Sequence, residues 1–363
     1  MYIQPFDSGA VPDHALLGGK CASLVTMTAA GMPVPPGFAV TTALYDEFVR
    51  GSGLAAAIRT ELHGLDQGDL AAVDAASARI RQQIRTREIP ADLRAPILEG
   101  FAALQERFAV EVPVAVRSSA TAEDLPGASF AGQQDTFLWI RGAGAVLEHV
   151  RRCWASLYTC RAILYRARNG VADEGLSMAV GVQKMVNARV AGVAITMDPT
   201  NGDRSKVAID ASYGLGEMVV AGRVTPDNVL MDKVMACVVA ETIGDKHAEL
   251  VPDAVPDGAR SARAGPGADR LVEREVDEER RRRRCLTHEE LAAIVAMAKR
   301  AEKHYGCPQD VEWALDADLP RGQDLLLLQA RPETVHSGRP AVHSGRSATA
   351  TSLLASADDR NRR

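Results

Sequence analysis

The stretch that decides the fold lies near the C-terminus and reads Asp310-Val311-Glu312-Trp313-Ala314-Leu315, followed by Leu325-Leu326-Leu327-Leu328-Gln329-Ala330-Arg331. Both runs are typical of short β-strands. The segment between them contains Pro320 and Gly322, which suit a hairpin loop. We therefore predict an antiparallel hairpin that brings Glu312 close to Gln329.

The side chains of this hairpin are expected to sort by alternation onto two faces. In the first strand the apolar residues share one face, whereas Asp310 and Glu312 share the other. In the second strand alternation places these residues on one face: Leu325, Leu327, Gln329 and Arg331. A carboxylate, an amide oxygen and a guanidinium then converge, which suits Mg²⁺ bound between protein and polyphosphate, with Arg331 on the phosphates. The alternative for this pattern is a polar sheet edge with a surface ion pair.

The remainder of the chain mixes helical and strand patterns, which indicates an α/β or α+β fold with two lobes. Helices are predicted over 20–30, 142–168 and 287–306, and further strands over 114–116, 135–140, 178–186, 192–197 and 206–211. We expect an N-terminal lobe over 1–190, a C-terminal lobe over 191–335 with a mobile insert over about 252–284, and a disordered tail over 336–363.

Composition narrows the possible partners and compartment. The chain has 363 residues and a formal net charge of −5, so no nucleic-acid partner is expected. The basic run 280–284 follows an acidic stretch and is predicted to be solvated and self-neutralising. The sequence shows no secretion signal, no apolar run of ~18 residues and no C-x-x-C pair among its cysteines. These features predict a cytoplasmic protein without a membrane span.

Two further segments suit an anion. A predicted strand ends at Arg117 and is followed by Ser118, Ser119 and Ala120, whose small size lets backbone N–H groups approach phosphate oxygens. Gly18-Gly19-Lys20 combines a flexible backbone, a helix start and an ammonium group. The alternatives are a solvent loop capped by serine and aspartate, and an ordinary helix-initiating turn.

Taken in order, the motifs resemble a known family. They are Gly18-Gly19-Lys20-Cys21-Ala22-Ser23-Leu24, Val34-Pro35-Pro36-Gly37-Phe38, Val116-Arg117-Ser118-Ser119-Ala120, Ser129-Phe130-Ala131-Gly132, Gln183-Lys184-Met185-Val186, Gly214-Leu215-Gly216-Glu217, Asp310-Val311-Glu312-Trp313 and Leu328-Gln329-Ala330-Arg331-Pro332-Glu333. The chain resembles the ATP-grasp nucleotide-binding domain shared by phosphoenolpyruvate synthase, pyruvate phosphate dikinase and rifampicin phosphotransferase. The resemblance implies a two-lobed ATP-grasp fold with the nucleotide between the lobes.

The resemblance also implies roles for particular residues, with ATP and Mg²⁺ as cofactors. The implied catalytic cations are Lys20, Arg117 and Arg331, which bind the phosphates. The implied nucleotide contacts are the phosphate loop from Gly132 and Gln133 to Thr136, the adenine strand Gln183, Lys184, Met185 and Val186, and Glu217 at the ribose. The implied Mg²⁺ ligands are Glu312 and Gln329. Phosphoryl transfer depends mostly on positioning and charge neutralisation, so these residue types fit.

The family also uses a phosphorylatable histidine in a Gly-Gly-x-x-x-His-like context. No histidine of this sequence has that context; they are His14, His63, His149, His247, His288, His304, His336 and His343. We therefore expect the carrier histidine on a separate partner subunit, an arrangement that resembles phenylphosphate synthase and alkylphenol-phosphorylating enzymes. That resemblance favours a phenolic hydroxyl as acceptor, bound by the partner. The alternatives are pyruvate, an antibiotic hydroxyl, a non-catalytic ATP-sensing module and an inactive remnant of a longer synthase.

Overall fold

The computed structural model describes residues 1–121, 135–170, 175–253 and 271–333. Its first part is a five-stranded antiparallel sheet with helices on both sides. The strands are β1 (Ile3–Pro5), β2 (Gly37–Val40), β3 (Val114–Ala120), β4 (Thr136–Ile140) and β5 (Met178–Lys184). They lie in the order β1-β2-β5-β3-β4. The helices are α1 (His14–Ala29), α2 (Thr42–Gly51), α3 (Leu54–Leu62), α4 (Leu70–Thr86), α5 (Ala91–Gln105), α6 (Ala143–Ser156) and α7 (Cys160–Arg168).

The second part is built on a six-stranded antiparallel sheet beside a two-stranded one. The strands are β6 (Ala188–Ile195), β7 (Lys206–Tyr213), β8 (Asp227–Asp232), β9 (Val238–Thr242), β10 (Ala248–Pro252), β11 (Leu271–Glu275), β12 (Gln309–Asp316) and β13 (Leu325–Pro332). The larger sheet has the order β13-β12-β6-β7-β8-β9, and β10 pairs with β11. The helices are α8 (Glu217–Val220), α9 (Glu278–Arg281) and α10 (His288–Tyr305). The predicted mixed α/β class is confirmed.

Local sequence signals explain where α10 begins and ends. The Thr287 side chain accepts a hydrogen bond from the Glu290 N–H, and the Glu290 carboxylate accepts one from the Thr287 N–H. This capping box satisfies backbone donors at the helix start. Gly306 ends the helix in the left-handed conformation at φ 70°, which costs glycine little.

The single helix predicted over 142–168 is wrong, because the chain forms two helices there. α6 ends at Ser156, and Thr159 starts α7 by accepting a hydrogen bond from the Ala162 N–H at 3.2 Å. Threonine in an extended conformation is a good N-cap, so the chain turns where the apolar spacing alone suggests continuity.

Three apolar clusters hold the elements together. One packs α2 to α6 on the first sheet. Another packs α1 and α10 on the second sheet, with Trp313 fully buried in it. Truncating such a side chain to alanine typically costs about 3–5 kcal/mol. The third, named here the interlobe cluster, draws on both sheets and comprises Ala115, Trp139, Met185, Val186, Ala188, Ala191, Leu215, Met218, Val224, Ala248, Leu250 and Ala314.

Two of the predicted boundaries differ from the structure. Residues 271–284, part of the predicted mobile insert, contain β11 and α9, because β11 pairs with β10 along its whole length. Residues 188–190 belong to β6 and so to the second sheet, slightly before the predicted division at 190/191. Residues 254–270 and the predicted tail lie outside the described residues. No helix in the described ranges is long and apolar enough to cross a membrane.

Candidate nucleotide-binding site

Lys20 follows a kink at Gly18 in α1 and lines a cleft between the two sheets. Gly18 adopts φ 63°, and a Cβ there would lie 2.2 Å from the Ser119 carbonyl oxygen, so only glycine fits. The Ser119 hydroxyl donates to the Leu17 carbonyl at 2.7 Å and accepts from the Cys21 N–H at 3.0 Å. These bonds fasten α1 to β3 and set the position of Lys20 relative to that strand.

Arg117, in the middle of β3, joins the first sheet to the hairpin of the second. Its guanidinium donates to the Leu328 carbonyl at 3.2 Å, to Gln329 Oε1 at 2.9 Å and to Glu312 Oε2 at 3.3 Å. The Arg117 and Glu312 side chains are only 17% and 25% exposed, so this pair is less screened than a surface ion pair. Thr136, at the start of β4, is the direct cross-strand partner of Arg117.

The predicted hairpin is present, and Glu312 pairs directly with Gln329 across β12 and β13. The predicted face of Gln329 is wrong, however. The register shifts after this pair, so that Trp313 faces Leu327 and Leu328 is an extra residue. Such a β-bulge changes which side chains share a face. Leu327 therefore packs in the core beside Trp313, while Gln329 joins Glu312 on the side of the cleft.

Arg331 pairs with Asp310, two positions along the same hairpin from Gln329. Its Nε and Nη2 atoms donate to Asp310 Oδ2 at 2.8 and 2.6 Å. Burial raises the pKa of Asp310, and the neighbouring Arg331 charge only partly offsets this effect. The Arg331 side chain is 52% exposed, which makes it accessible to an anion from solvent.

The predicted adenine strand begins at the end of β5, the central strand of the first sheet. β5 ends at Lys184, two residues earlier than predicted. Gln183 is buried and donates to the Pro35 carbonyl at 3.1 Å, and Lys184 donates to Asp316 Oδ2 at 3.1 Å. Met185 and Val186 enter the interlobe cluster. This segment therefore offers an apolar wall, which suits the flat face of a purine base.

Glu217 directly precedes Met218, a member of the interlobe cluster. It begins the short helix α8 and is exposed. Leu215, two positions before Glu217, is buried in the same cluster as Met185, and its N–H donates to the Leu250 carbonyl at 2.9 Å. Glu217 thus follows a loop that is anchored to the apolar wall.

Four of the predicted site residues share one narrow cleft, lined by Lys20, Cys21, Leu24, Arg117, Gly181, Gln183, Leu328 and Gln329. Glu312 joins them through its contact with Arg117. Glu217, Arg331, Thr136, Lys184, Met185 and Val186 lie outside this lining, and Gly132 and Gln133 lie outside the described residues. The sequence did not predict the roles of Ser119 and Leu328. The only signal for these roles was that Ser119 lies in the same motif as Arg117 and Leu328 in the same motif as Gln329.

The donor set near Arg117 fits a hard cation. Carboxylate and amide oxygens of Glu312 and Gln329 converge on a single cationic nitrogen, so the site already selects positive charge. Within the described ranges no group of three or more His, Cys, Asp or Glu side chains could hold a metal. Mg²⁺ commonly uses only one or two protein ligands and takes the others from phosphates and water, so two oxygens are sufficient.

A known protein family and several known relatives match most of this chain. The family model described as "Pyruvate phosphate dikinase, AMP/ATP-binding domain" matches residues 14–350. A probable phosphoenolpyruvate synthase of Methanothermobacter thermautotrophicus is 44% identical over 92% of this chain. One of Staphylothermus marinus is 42% identical over 93%, and the phosphoenolpyruvate synthase of Pyrococcus furiosus is 36% identical over 92%.

The chain spans less than half the length of these relatives, at 46%, 42% and 44% respectively. Their names give no support to the phenolic acceptor, whereas phosphoenolpyruvate synthase was among the alternatives. The motifs, the mixed α/β fold and the extent of the match lead to one conclusion: the chain belongs to the pyruvate phosphate dikinase AMP/ATP-binding domain family.

Proposed function

We propose that this chain binds ATP with Mg²⁺ in the cleft between its two sheets and passes a phosphoryl group to a histidine outside the present sequence. The observation that carries this proposal is the meeting of Arg117 with Glu312 and Gln329, in a cleft that Lys20 also lines. Two cations and two metal-type oxygens in one place match what polyphosphate binding requires.

The residues around the cleft are assigned two roles, phosphate binding and metal binding. Lys20, Arg117 and Arg331 bind the phosphates, and Glu312 and Gln329 hold Mg²⁺, which when bound neutralises charge on the phosphates. Arg117 already contacts both oxygens, so it is placed to contact phosphate oxygens next to the metal. Thr136 stands beside Arg117 at the start of β4, next to the loop assigned to the phosphates.

The base and ribose are assigned to residues that follow Gln183 in the chain and lie outside the lining of the narrow cleft. Met185, Val186 and the interlobe cluster provide the apolar wall, and the segment of Gln183 and Lys184 leads to it. Glu217 accepts hydrogen bonds from the ribose. In this arrangement the nucleotide lies between the lobe built on the first sheet and the lobe built on the second sheet, whose first strand begins at Ala188.

The reaction balances as ATP, water and histidine giving AMP, inorganic phosphate and phosphohistidine. The phosphohistidine then phosphorylates a hydroxyl acceptor or, for pyruvate, its enol oxygen. The names of the relatives favour pyruvate over a phenol as acceptor. We place the histidine on a separate subunit, as the missing sequence context suggests; a further segment of a longer chain would serve the same chemistry.

The test uses ATP labelled in its β-phosphoryl group. The chain, Mg²⁺ and a polypeptide that carries the histidine domain are incubated together, and acid-labile phosphohistidine is measured on that polypeptide. Label should appear only when the chain is present, and Arg117→Gln should abolish it. Arg79→Gln, which removes an exposed ion pair with Glu61, is the matched control.

Three results would contradict the proposal. Labelling of the histidine polypeptide without this chain would make the chain irrelevant to transfer. Tight ATP binding with no transfer to any histidine polypeptide would favour the sensing module. Phosphorylation of an acceptor by the purified chain alone would show that the carrier nucleophile lies within residues 1–363.

A further inference from the structure

The run of five arginines from Arg280 to Arg284 is not uniform in the structure. Arg282 and Arg283 form exposed pairs with Glu278 and Glu279, one turn away on α9. Such pairs contribute little to stability. Arg280 instead reaches Glu249 on β10, whose side chain is 3% exposed. Arg281 and Arg284 also pair outside the run, with Asp245 and Glu241, but both of those carboxylates are exposed. Arg280 is therefore the arginine of the run that pairs with a buried carboxylate.

Glu249 holds Arg280 through a two-point contact. Arg280 Nη1 donates to Oε1 at 3.2 Å and Nη2 donates to Oε2 at 3.1 Å, while Arg274 donates to Oε1 at 2.7 Å. Burial alone would raise the pKa of Glu249, but hydrogen bonds from Arg280 and Arg274 outweigh it and lower the pKa below its ordinary value. A fork of this kind fixes orientation as well as charge.

Arg280 is also held against Tyr213, the last residue of β7. Its guanidinium carbon lies 4.2 Å from the centroid of the Tyr213 ring, which is a favourable cation–π distance. The Tyr213 hydroxyl in turn donates to the Arg280 carbonyl at 3.0 Å. Side chain and backbone of one arginine therefore tie the end of β7 to Glu249 on β10.

The residue after Tyr213 opens the loop that leads to Glu217. Gly214 has φ 72°, and a Cβ there would lie 2.5 Å from the Leu250 carbonyl oxygen. Leu215 donates its N–H to the same oxygen at 2.9 Å. The loop thus rests on Leu250, the neighbour of Glu249. Arg280 consequently links both supports of the loop, the end of β7 before it and β10 beneath it.

We infer that Arg280 is a positioning residue for ribose recognition, because it links Tyr213 to Glu249 and so fixes the loop that carries Glu217. This inference rests on the proposed function, since the contact of Glu217 with the ribose is itself part of that proposal. Arg280 is assigned no contact with the nucleotide or the metal. Its effect is to hold one carboxylate at a fixed distance from the apolar wall.

The experiment compares ATP with 2′-deoxy-ATP by isothermal titration calorimetry in the presence of Mg²⁺. A hydrogen bond from a ribose hydroxyl to a carboxylate gives about tenfold tighter binding of ATP. In Arg280→Gln the ratio of the affinity for ATP to the affinity for 2′-deoxy-ATP should fall toward one. The affinity for 2′-deoxy-ATP itself should change less than about threefold. Arg282→Gln is the matched control from the same run and should keep the ratio of the wild type. Tyr213→Phe, which removes one hydroxyl, should lower it partially.

The possible outcomes distinguish failure of the proposed function from failure of the positioning role of Arg280. If the wild type binds neither nucleotide, the proposed function fails. If the wild type binds both equally, the ribose role of Glu217 fails and the inference with it. If Arg280→Gln lowers the affinities for ATP and 2′-deoxy-ATP by the same factor, Arg280 has only a structural role and the inference is overturned. Tyr213→Phe keeps the test decisive should Arg280→Gln fail to fold.

Discussion

Replacing Glu312 by glutamine tests the metal assignment with little change of shape. The Glu312 carboxylate lies 3.3 Å from Arg117 Nη2. At an effective dielectric constant of about 20 the attraction at that distance is about 5 kcal/mol. Most of this is offset by the lost hydration of both groups, and the amide oxygen can still accept from Arg117. We therefore expect the free energy of unfolding to fall by only about 1–2 kcal/mol.

The effect on nucleotide binding should be larger and should depend on the metal. Without Mg²⁺, Glu312→Gln removes a negative charge near the polyphosphate, so ATP affinity should stay equal or rise. With Mg²⁺, loss of the anionic ligand should reduce the metal's enhancement of ATP binding by about tenfold or more. Calorimetric titration of ATP in Mg²⁺ and in EDTA measures both quantities, and urea unfolding measures stability.

Glu61→Gln provides the comparison for a pair outside the cleft. Glu61 accepts from Arg79 at 2.9 Å, and the arginine side chain is 56% exposed. Loss of this ion pair should lower the free energy of unfolding by less than about 1 kcal/mol and should leave the Mg²⁺ enhancement of ATP binding unchanged. An equal Mg²⁺ enhancement in Glu312→Gln and the wild type would refute the assignment of Glu312 as a metal ligand.

Three further predictions use other parts of the structure. Gly18→Ala places a Cβ 2.2 Å from the Ser119 carbonyl oxygen, so urea unfolding should show a loss of at least about 2 kcal/mol. Glu249→Gln should have a lower free energy of unfolding than the wild type at pH 7. Because the pKa of Glu249 in the folded protein lies below its ordinary 4.5, the wild type should lose this advantage as the pH falls below 4.5. Urea unfolding of both proteins across this pH range measures the difference. Cys237 is exposed, whereas burial raises the pKa of Cys153; mass spectrometry should find a thiol reagent on Cys237 first and on Cys153 only after unfolding.

The hairpin could be predicted from sequence because its signals are local. Strict alternation with Trp313 on the apolar side specifies the strand, and a proline and glycine between the runs specify the turn. The pairing of Glu312 with Gln329 follows from those two facts alone, and it is confirmed. The capping box at Thr287 was readable for the same reason, since both partners lie within one helical turn.

Contacts between distant parts of the chain could not be read in this way. Arg117 reaches Gln329 across 212 positions, and Ser119 reaches Leu17 across 102. Nothing in the spacing of either motif specifies that partner. The sequence indicated that each segment suits an anion, and the resemblance indicated that they act together. The hydrogen bonds that fasten α1 to β3 appear only once both are folded.

The face of Gln329 shows most clearly why a pattern can fail where a site is built. Strict alternation through β13 would put Gln329 on the same face as Leu327, which is fully buried against the core. Either Gln329 would then face the apolar core or Leu327 would face the cleft, and both arrangements are unfavourable. The extra residue Leu328 removes the conflict by shifting the register once. The same shift leaves the Leu328 carbonyl directed at Arg117, so the irregularity that breaks the pattern also supplies one of the three contacts that hold the arginine in place.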